Sequence, residues 1–200
     1  MRADGARNRE VVLAAAGRLF DQVTDPDQIT MDHIAAAAGV GKGTLFRGFG
    51  DRVGLIRALY ADRSQDLQAA LSTIDPGPAA GDHPGPVKVT AGRDHTGPGP
   101  AERVLAALGA MLDFKLANST LTRALENAGA GSPFDNELYN LWHARLTRIV
   151  AEARGPENAD YLAHALLAAV RSDLLHQLRD WPRARLEAGL SALVDAILPS

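Results

Sequence analysis

Residues 29–52 read ITMDHIAAAAGVGKGTLFRGFGDR, and the fold is decided by this stretch. Thr30 places a side-chain acceptor just ahead of a short apolar run, the mark of a helix N-cap, and Gly39 supplies the positive φ that ends a helix at Ala38. Val40 is the single apolar residue of the turn, expected to plug the gap before a second short helix over about Lys42 to Arg47. Two short helices joined by a glycine turn make a helix-turn-helix. The small side chains of Ala35, Ala36, Ala37 and Ala38 let the first helix lie close against its neighbours. In the second, Leu45 is the expected inward anchor, surrounded by Lys42, Gly43, Thr44, Phe46 and Arg47. A slim N-terminus, hydroxyls for base edges and cations for phosphate are what a helix needs to enter a major groove. Asp51 is placed to cap the next helix, whose positive end can also face a phosphate.

Charge is arranged locally. Between Lys42 and Arg63 the five basic residues Lys42, Arg47, Arg52, Arg57 and Arg63 face two acidic ones, Asp51 and Asp62, a balance of +3. The whole chain, with 21 Lys+Arg and 24 Asp+Glu, sums to −3. Bulk charge therefore excludes a protein that coats nucleic acid, and any contact must come from a patch.

Outward from this segment the text changes three times. Residues 1–52 hold short helical patterns broken by Gly. Residues 53–74 read as one long helix, with Ile56, Leu59, Tyr60, Leu67, Ala70 and Leu71 on one face. Residues 75–100 hold six Gly and six Pro in 26 positions, a composition that forms neither packed helix nor strand and is expected to be a flexible loop. Past Pro100 the periodicity returns, with boundaries expected near Gly129 to Pro133, Gly155-Pro156 and Trp181-Pro182. Strand-like alternation is absent. The expectation is an all-α protein of about nine helices, in two domains: residues 1–52 and residues 53–200.

Other classes fall away. With no Cys there is no disulfide scaffold, thiolate metal site or Cys nucleophile. No run approaches the roughly 18 apolar residues of a membrane span. The N-terminus has basic residues but no apolar segment behind them, so no membrane partner and a cytoplasmic location are expected. Asp160 with His164 and Asp173 with His176 have ligand spacing, but His164 and Asp173 lie on opposite sides of a helix, about 180° apart. No metal, cofactor or catalytic residue is assigned, and no nucleophile or phosphate-loop pattern points to an enzyme.

Arg9 to Leu59 resembles the N-terminal domain of the TetR family of transcriptional regulators. The resemblance runs through Leu19-Phe20, Thr30, Ile34-Ala35-Ala36-Ala37-Ala38-Gly39-Val40, Gly43-Thr44-Leu45-Phe46-Arg47-Gly48-Phe49, and Asp51-Arg52 with Leu55-Ile56. It implies a three-helix DNA-binding domain followed by a helical effector-binding and dimerisation domain, in a repressor that binds a palindromic double-stranded operator as a homodimer. By position it implies DNA contacts from Lys42, Thr44, Phe46, Arg47 and Arg52, and from Thr30, Gly41 and Gly43 through backbone or hydroxyl. Gly41, Phe46 and Gly48 depart from the commoner Ser, Tyr and His of the pattern.

For the rest of the chain the resemblance is architectural. The bulky groups Met111, Phe114, Phe134, Tyr139, Trp142 and His143 are the candidates for an effector pocket. Asp160 to Leu178 is apolar on most of its circumference and must be covered on more than one side. Leu162, Leu166, Val170 and Leu174, with the stripe Leu186, Leu190, Leu193 and Ile197, are the expected dimer interface; burial inside one subunit is the alternative. A helical ligand-binding or assembly protein that does not bind DNA specifically stays open as the second functional class.

Overall fold

The structure is a computed structural model that describes residues 2–75, 97–127 and 137–198. It is all-helical among those residues, with eleven α-helices where the periodicity suggests about nine. They are α1 (Arg2–Gln22), α2 (Met31–Ala38), α3 (Lys42–Phe49), α4 (Arg52–Arg63), α5 (Gln65–Ile74), α6 (Pro100–Ala117), α7 (Ser119–Asn127), α8 (Glu137–Arg154), α9 (Ala159–Ala168), α10 (Ser172–Gln177) and α11 (Arg183–Ile197). A 3-10 turn, Pro26–Gln28, precedes α2. No single helix among them is long and apolar enough to cross a membrane.

The added helices come from short breaks. The expected helix over 53–74 is interrupted at Ser64, whose buried hydroxyl bonds back to the Ala61 carbonyl at 3.2 Å, a local alternative to the helical ladder. The apolar run after Asp160 is interrupted likewise between Ala168 and Ser172. Gly155, at positive φ, does end α8, and Pro182 caps α11 with the fixed φ suited to that place. The boundary expected near Gly129 to Pro133 lies outside the described residues, as does the expected loop over most of residues 75–100.

Contacts divide the chain into two units, Met1–Asp66 with Phe114–Pro133, and Leu67–Asp113 with Phe134–Ser200. The division differs from the expected boundary after residue 52. Core completion is the physical reason: Leu55, Ile56 and Leu59 of α4 and Leu121 and Ala124 of α7 are buried in one cluster with Val12, Ala16 and Phe20 of α1, Ile34 of α2 and Leu45 of α3. One long helix and two of eight residues enclose too little apolar surface by themselves. Thr120 donates to the Val23 carbonyl at 2.8 Å and Arg123 to that of Thr24 at 3.2 Å, fixing α7 to the chain between α1 and α2.

In the second unit Leu108 and Leu112 of α6, Leu146, Ile149 and Val150 of α8, Leu166 and Leu167 of α9, and Leu190 and Val194 of α11 are buried. At the end of α5 the buried carboxylate of Asp75 is paired with Arg148 and, at 3.5 Å, with Arg103, which also reaches Glu152 at 2.5 Å. Buried charge is tolerated only with such partners.

In the first unit the Tyr60 ring packs edge-on against Phe114, with centroids 5.3 Å apart. Burial, with a smaller contribution from Glu126, pushes its phenol up to about 12 from the usual value of 10.0. The neutral phenol is thus favoured by folding, and its contribution is complete below pH 10 and declines as pH climbs toward 12. Urea unfolding at pH 8, 10 and 11.5 should show stability falling over that alkaline range, and the fall should be reduced in Tyr60→Phe.

Candidate nucleic-acid interface

Helices α2 and α3 are set by caps that the sequence specifies. The Thr30 hydroxyl accepts from the His33 amide at 3.2 Å, satisfying one of the free donors at the start of α2. Gly39 adopts φ 66° and ψ 29°, and the Val40 amide reaches back to the Ala35 carbonyl at 3.1 Å. Only glycine takes this left-handed position cheaply. Val40 packs partly buried against the core, as expected of the turn's plug. Asp51 accepts from the Gly54 amide at 2.7 Å and starts α4. Gly54 is itself required, since a Cβ there would lie 2.1 Å from the Phe49 carbonyl oxygen.

Leu45 is fully buried and holds α3 from beneath. Gly41, Lys42, Gly43, Phe46, Arg47 and Gly48 are exposed, Thr44 is half-buried, and Phe46 leaves 41% of its surface open. Phe46 stands outside the core cluster beneath α3. The Arg47 guanidinium is 3.5 Å from the Thr44 hydroxyl. Lys42 meets Asp32 at 2.6 Å with both side chains more than half exposed, and such a pair contributes only about 0–1 kcal/mol. Lys42 can exchange it for a phosphate. Arg9 lies over the Phe49 ring, 4.9 Å from its centroid, and ties α1 to the end of α3.

Two of the five basic residues of the local patch are engaged elsewhere. Arg52, expected by position to contact DNA, donates to the carbonyls of Ile29 at 2.9 Å and Pro26 at 2.5 Å. It brackets the turn before α2 to α4 instead of facing outward. Arg63 grips Asp21 with two bonds of 2.8 Å and Asn118 with a third. Lys42, Arg47 and Arg57 remain exposed. Side-chain direction, invisible in the spacing of the residues, makes the difference.

The six candidates for an effector pocket are divided between the two units. Met111 is buried in the second unit, Phe114 packs on Tyr60 in the first, and Phe134 lies outside the described residues. Tyr139 and His143 join His164 in a stack on α8 and α9, with 3.8 Å between the two imidazole centroids and 2.6 Å from the Tyr139 hydroxyl to His164 Nδ1. An open groove of about 240 Å³ runs there past Tyr161, Ala168 and Arg171. A second, apolar cleft of about 180 Å³ lies among Leu112, Leu175, Leu178, Trp181 and Leu186. Arg171 pairs with Asp173 at 2.9 Å and holds its carboxyl below the usual range. Among the described residues no three His, Cys, Asp or Glu side chains gather as a metal site would require.

The residues of the expected dimer stripe differ in how far a single chain covers them. Leu166, Val170, Leu186, Leu190 and Ile197 are each less than 9% exposed within a single chain and belong to its own core. Leu162 and Leu193 are partly covered, and Leu174 is 40% exposed.

Comparison with known proteins agrees with this geometry. Residues 12–59 match the family described as bacterial regulatory proteins of the tetR family. A curated HTH-type transcriptional regulator of Staphylococcus aureus is 24% identical over 98% of this chain and 95% of its own length. Among solved structures, a transcriptional regulator of Rhodococcus superposes with TM-score 0.68 at 21% identity, covering 95% of each chain. A gamma-butyrolactone receptor described as ArpA-like superposes with TM-score 0.50 at 20% identity, covering 96% of this chain and 97% of that one. At those identities the superpositions establish a shared fold.

Arg47 and Arg52 should separate in experiment. Arg47→Ala should leave the unfolding free energy within about 0.5 kcal/mol of the parent and lower the slope of log affinity against log salt by about one. Arg52→Ala should cost about 2 kcal/mol in urea unfolding and leave that slope unchanged.

Proposed function

We propose that the chain is a cytoplasmic, ligand-responsive repressor of the TetR family, whose regulatory-protein model residues 12–59 match, and that it binds DNA through its helix-turn-helix. It binds a palindromic operator as a homodimer and leaves it when a small-molecule effector enters the second unit. The observation that carries the reading is α3: a helix anchored through one buried leucine, with Lys42, Thr44, Phe46 and Arg47 turned away from the core. The N-terminal end, at Gly41 and Gly43, is narrow enough for close approach to base edges. Thr30, Lys42, Gly41, Gly43, Thr44, Phe46 and Arg47 are the proposed DNA contacts, and Arg52 is their support.

Dimerisation in this reading uses a different surface from the leucine stripe. Tyr161 of α9 is 72% exposed, and Ala168 of α9 with Ala184, Ala188 and Ala192 of α11 are exposed small residues at helical spacing. These let a second copy pack closely. Most soluble oligomers close by a twofold axis, which would present two copies of α3 to half-sites about 34–36 Å apart. Repression is relieved if the effector binds more tightly to the conformation whose α3 helices are misplaced for those half-sites.

Selection from a random duplex pool should recover a palindrome with half-sites about one helical turn apart. Sedimentation should give a dimer, converted to monomer by Tyr161→Arg with loss of operator affinity. Recovery of no preferred sequence, or a parent that sediments as a monomer on and off DNA, would contradict the proposal.

A further inference from the structure

Helix α11 presents to solvent a face whose charges have no partner in their own chain. On its other side, Arg183 and Glu187 pair with each other at 2.9 Å, and Arg183 also reaches Asp113 at 2.8 Å. Arg185 and Asp195 differ. Both are exposed, and among the described residues neither meets an opposite charge. The Arg185 guanidinium lies over the Trp181 ring, 3.6 Å from its centroid, and Asp195 accepts from the Ser191 hydroxyl at 3.5 Å. A guanidinium stacked on an indole keeps its N–H edge free for a carboxylate lying in its plane. Arg185 and Asp195 cannot satisfy each other, since at about 1.5 Å per residue they stand about 15 Å apart along the helix axis.

The same face is symmetric about its own middle. Leu190 lies midway between Arg185 and Asp195, and also midway between the exposed Ala184 and Ala196 and between the exposed Ala188 and Ala192. At about 100° per residue the four alanines span about 120° of arc, with Arg185 and Asp195 about 40° to either side of its centre. A second α11 laid antiparallel across this face, about a twofold axis at the level of Leu190, sets Ala184 beside the copy's Ala196 and Ala188 beside the copy's Ala192. It also sets each Arg185 within reach of the other copy's Asp195. A parallel alignment instead sets Arg185 against Arg185 and Asp195 against Asp195. The alanines permit a close approach, and the charges choose its direction and register.

We infer that α11 pairs with α11 of a second copy of this chain in an antiparallel register centred on Leu190, with Arg185 of each copy bonded to Asp195 of the other. This rests on the homodimer reading above and names the register and the contacts that set it. A twofold interface must be complementary to itself, and this face is: each unpaired charge is answered by the opposite one across the axis. Exposed ion pairs contribute little affinity apiece, so their main effect is to exclude the alignments that bring like charges together.

Sedimentation of the full chain at low salt tests the register. Arg185→Glu and Asp195→Arg should each weaken self-association about tenfold, because each turns both pairs across the axis into like-charged ones. An equimolar mixture of the two single variants should recover dimers of the parent's affinity, since both pairs of the mixed dimer are again of opposite sign. The chain carrying both substitutions should dimerise as the parent does. These differences should shrink at about 1 M salt, where the Debye length is about 3 Å. Should a reversed charge disturb folding, Arg185→Gln and Asp195→Asn carry the test, each weakening association about threefold. A dimeric parent indifferent to these substitutions, or folded single variants that do not rescue each other on mixing, would overturn the register and leave the dimer reading standing. Weakening by Arg185→Glu with none by Asp195→Arg would assign Arg185 to a different anion and overturn it equally. A parent that is a monomer on and off DNA would refute the dimer reading itself, and the register with it.

Discussion

The burial of Leu45 is the constraint on which the candidate interface depends. Helix α3 has eight residues, contains Gly43 and Gly48, and starts at Gly41 with no side-chain cap. An isolated helix of that length is unstable in water, and each interior glycine costs about 1 kcal/mol more than alanine. What holds it is packing. Complete burial of one leucine contributes about 2 kcal/mol, and Leu45 delivers it among Ile34, Leu55 and Ile56 of the same cluster. A helix held from one side, by Leu45 with Phe49 packed against the same core, leaves its outer face for recognition.

Charge follows the same division. The chain is net acidic, and of the five cations around α3 and α4, Arg52 and Arg63 are engaged in holding the first unit together. Of this patch, Lys42, Arg47 and Arg57 remain exposed for the proposed phosphate contacts. In the proposed complex, groove contacts and the doubling of a twofold dimer would add to what these cations contribute at the phosphates.

Local signals were legible in the sequence and distant ones were not. Thr30, Gly39 and Asp51 could be read as caps because capping chemistry involves residues two to four positions apart, and Gly155 and Pro182 stopped helices for similarly local reasons. The all-α class followed from periodicity alone. Ser64 gave no such warning, since a serine breaks a helix only when its hydroxyl finds a carbonyl in place of solvent. The division of the chain into units depended on α7 filling the core beneath α1, a contact separated by about a hundred residues. Buried leucines and interface leucines have the same spacing, so Leu166, Leu186 and Leu190 could not be assigned from the stripe.

Amide hydrogen exchange of the full chain with and without its selected operator duplex tests the central claim most directly. The account predicts new protection confined to the N-terminus of α2, residues 41–48 and the start of α4, with the amides around Leu45 already protected in the free protein by core packing. Protection appearing elsewhere, with residues 41–48 exchanging at the free rate on the duplex, would contradict it.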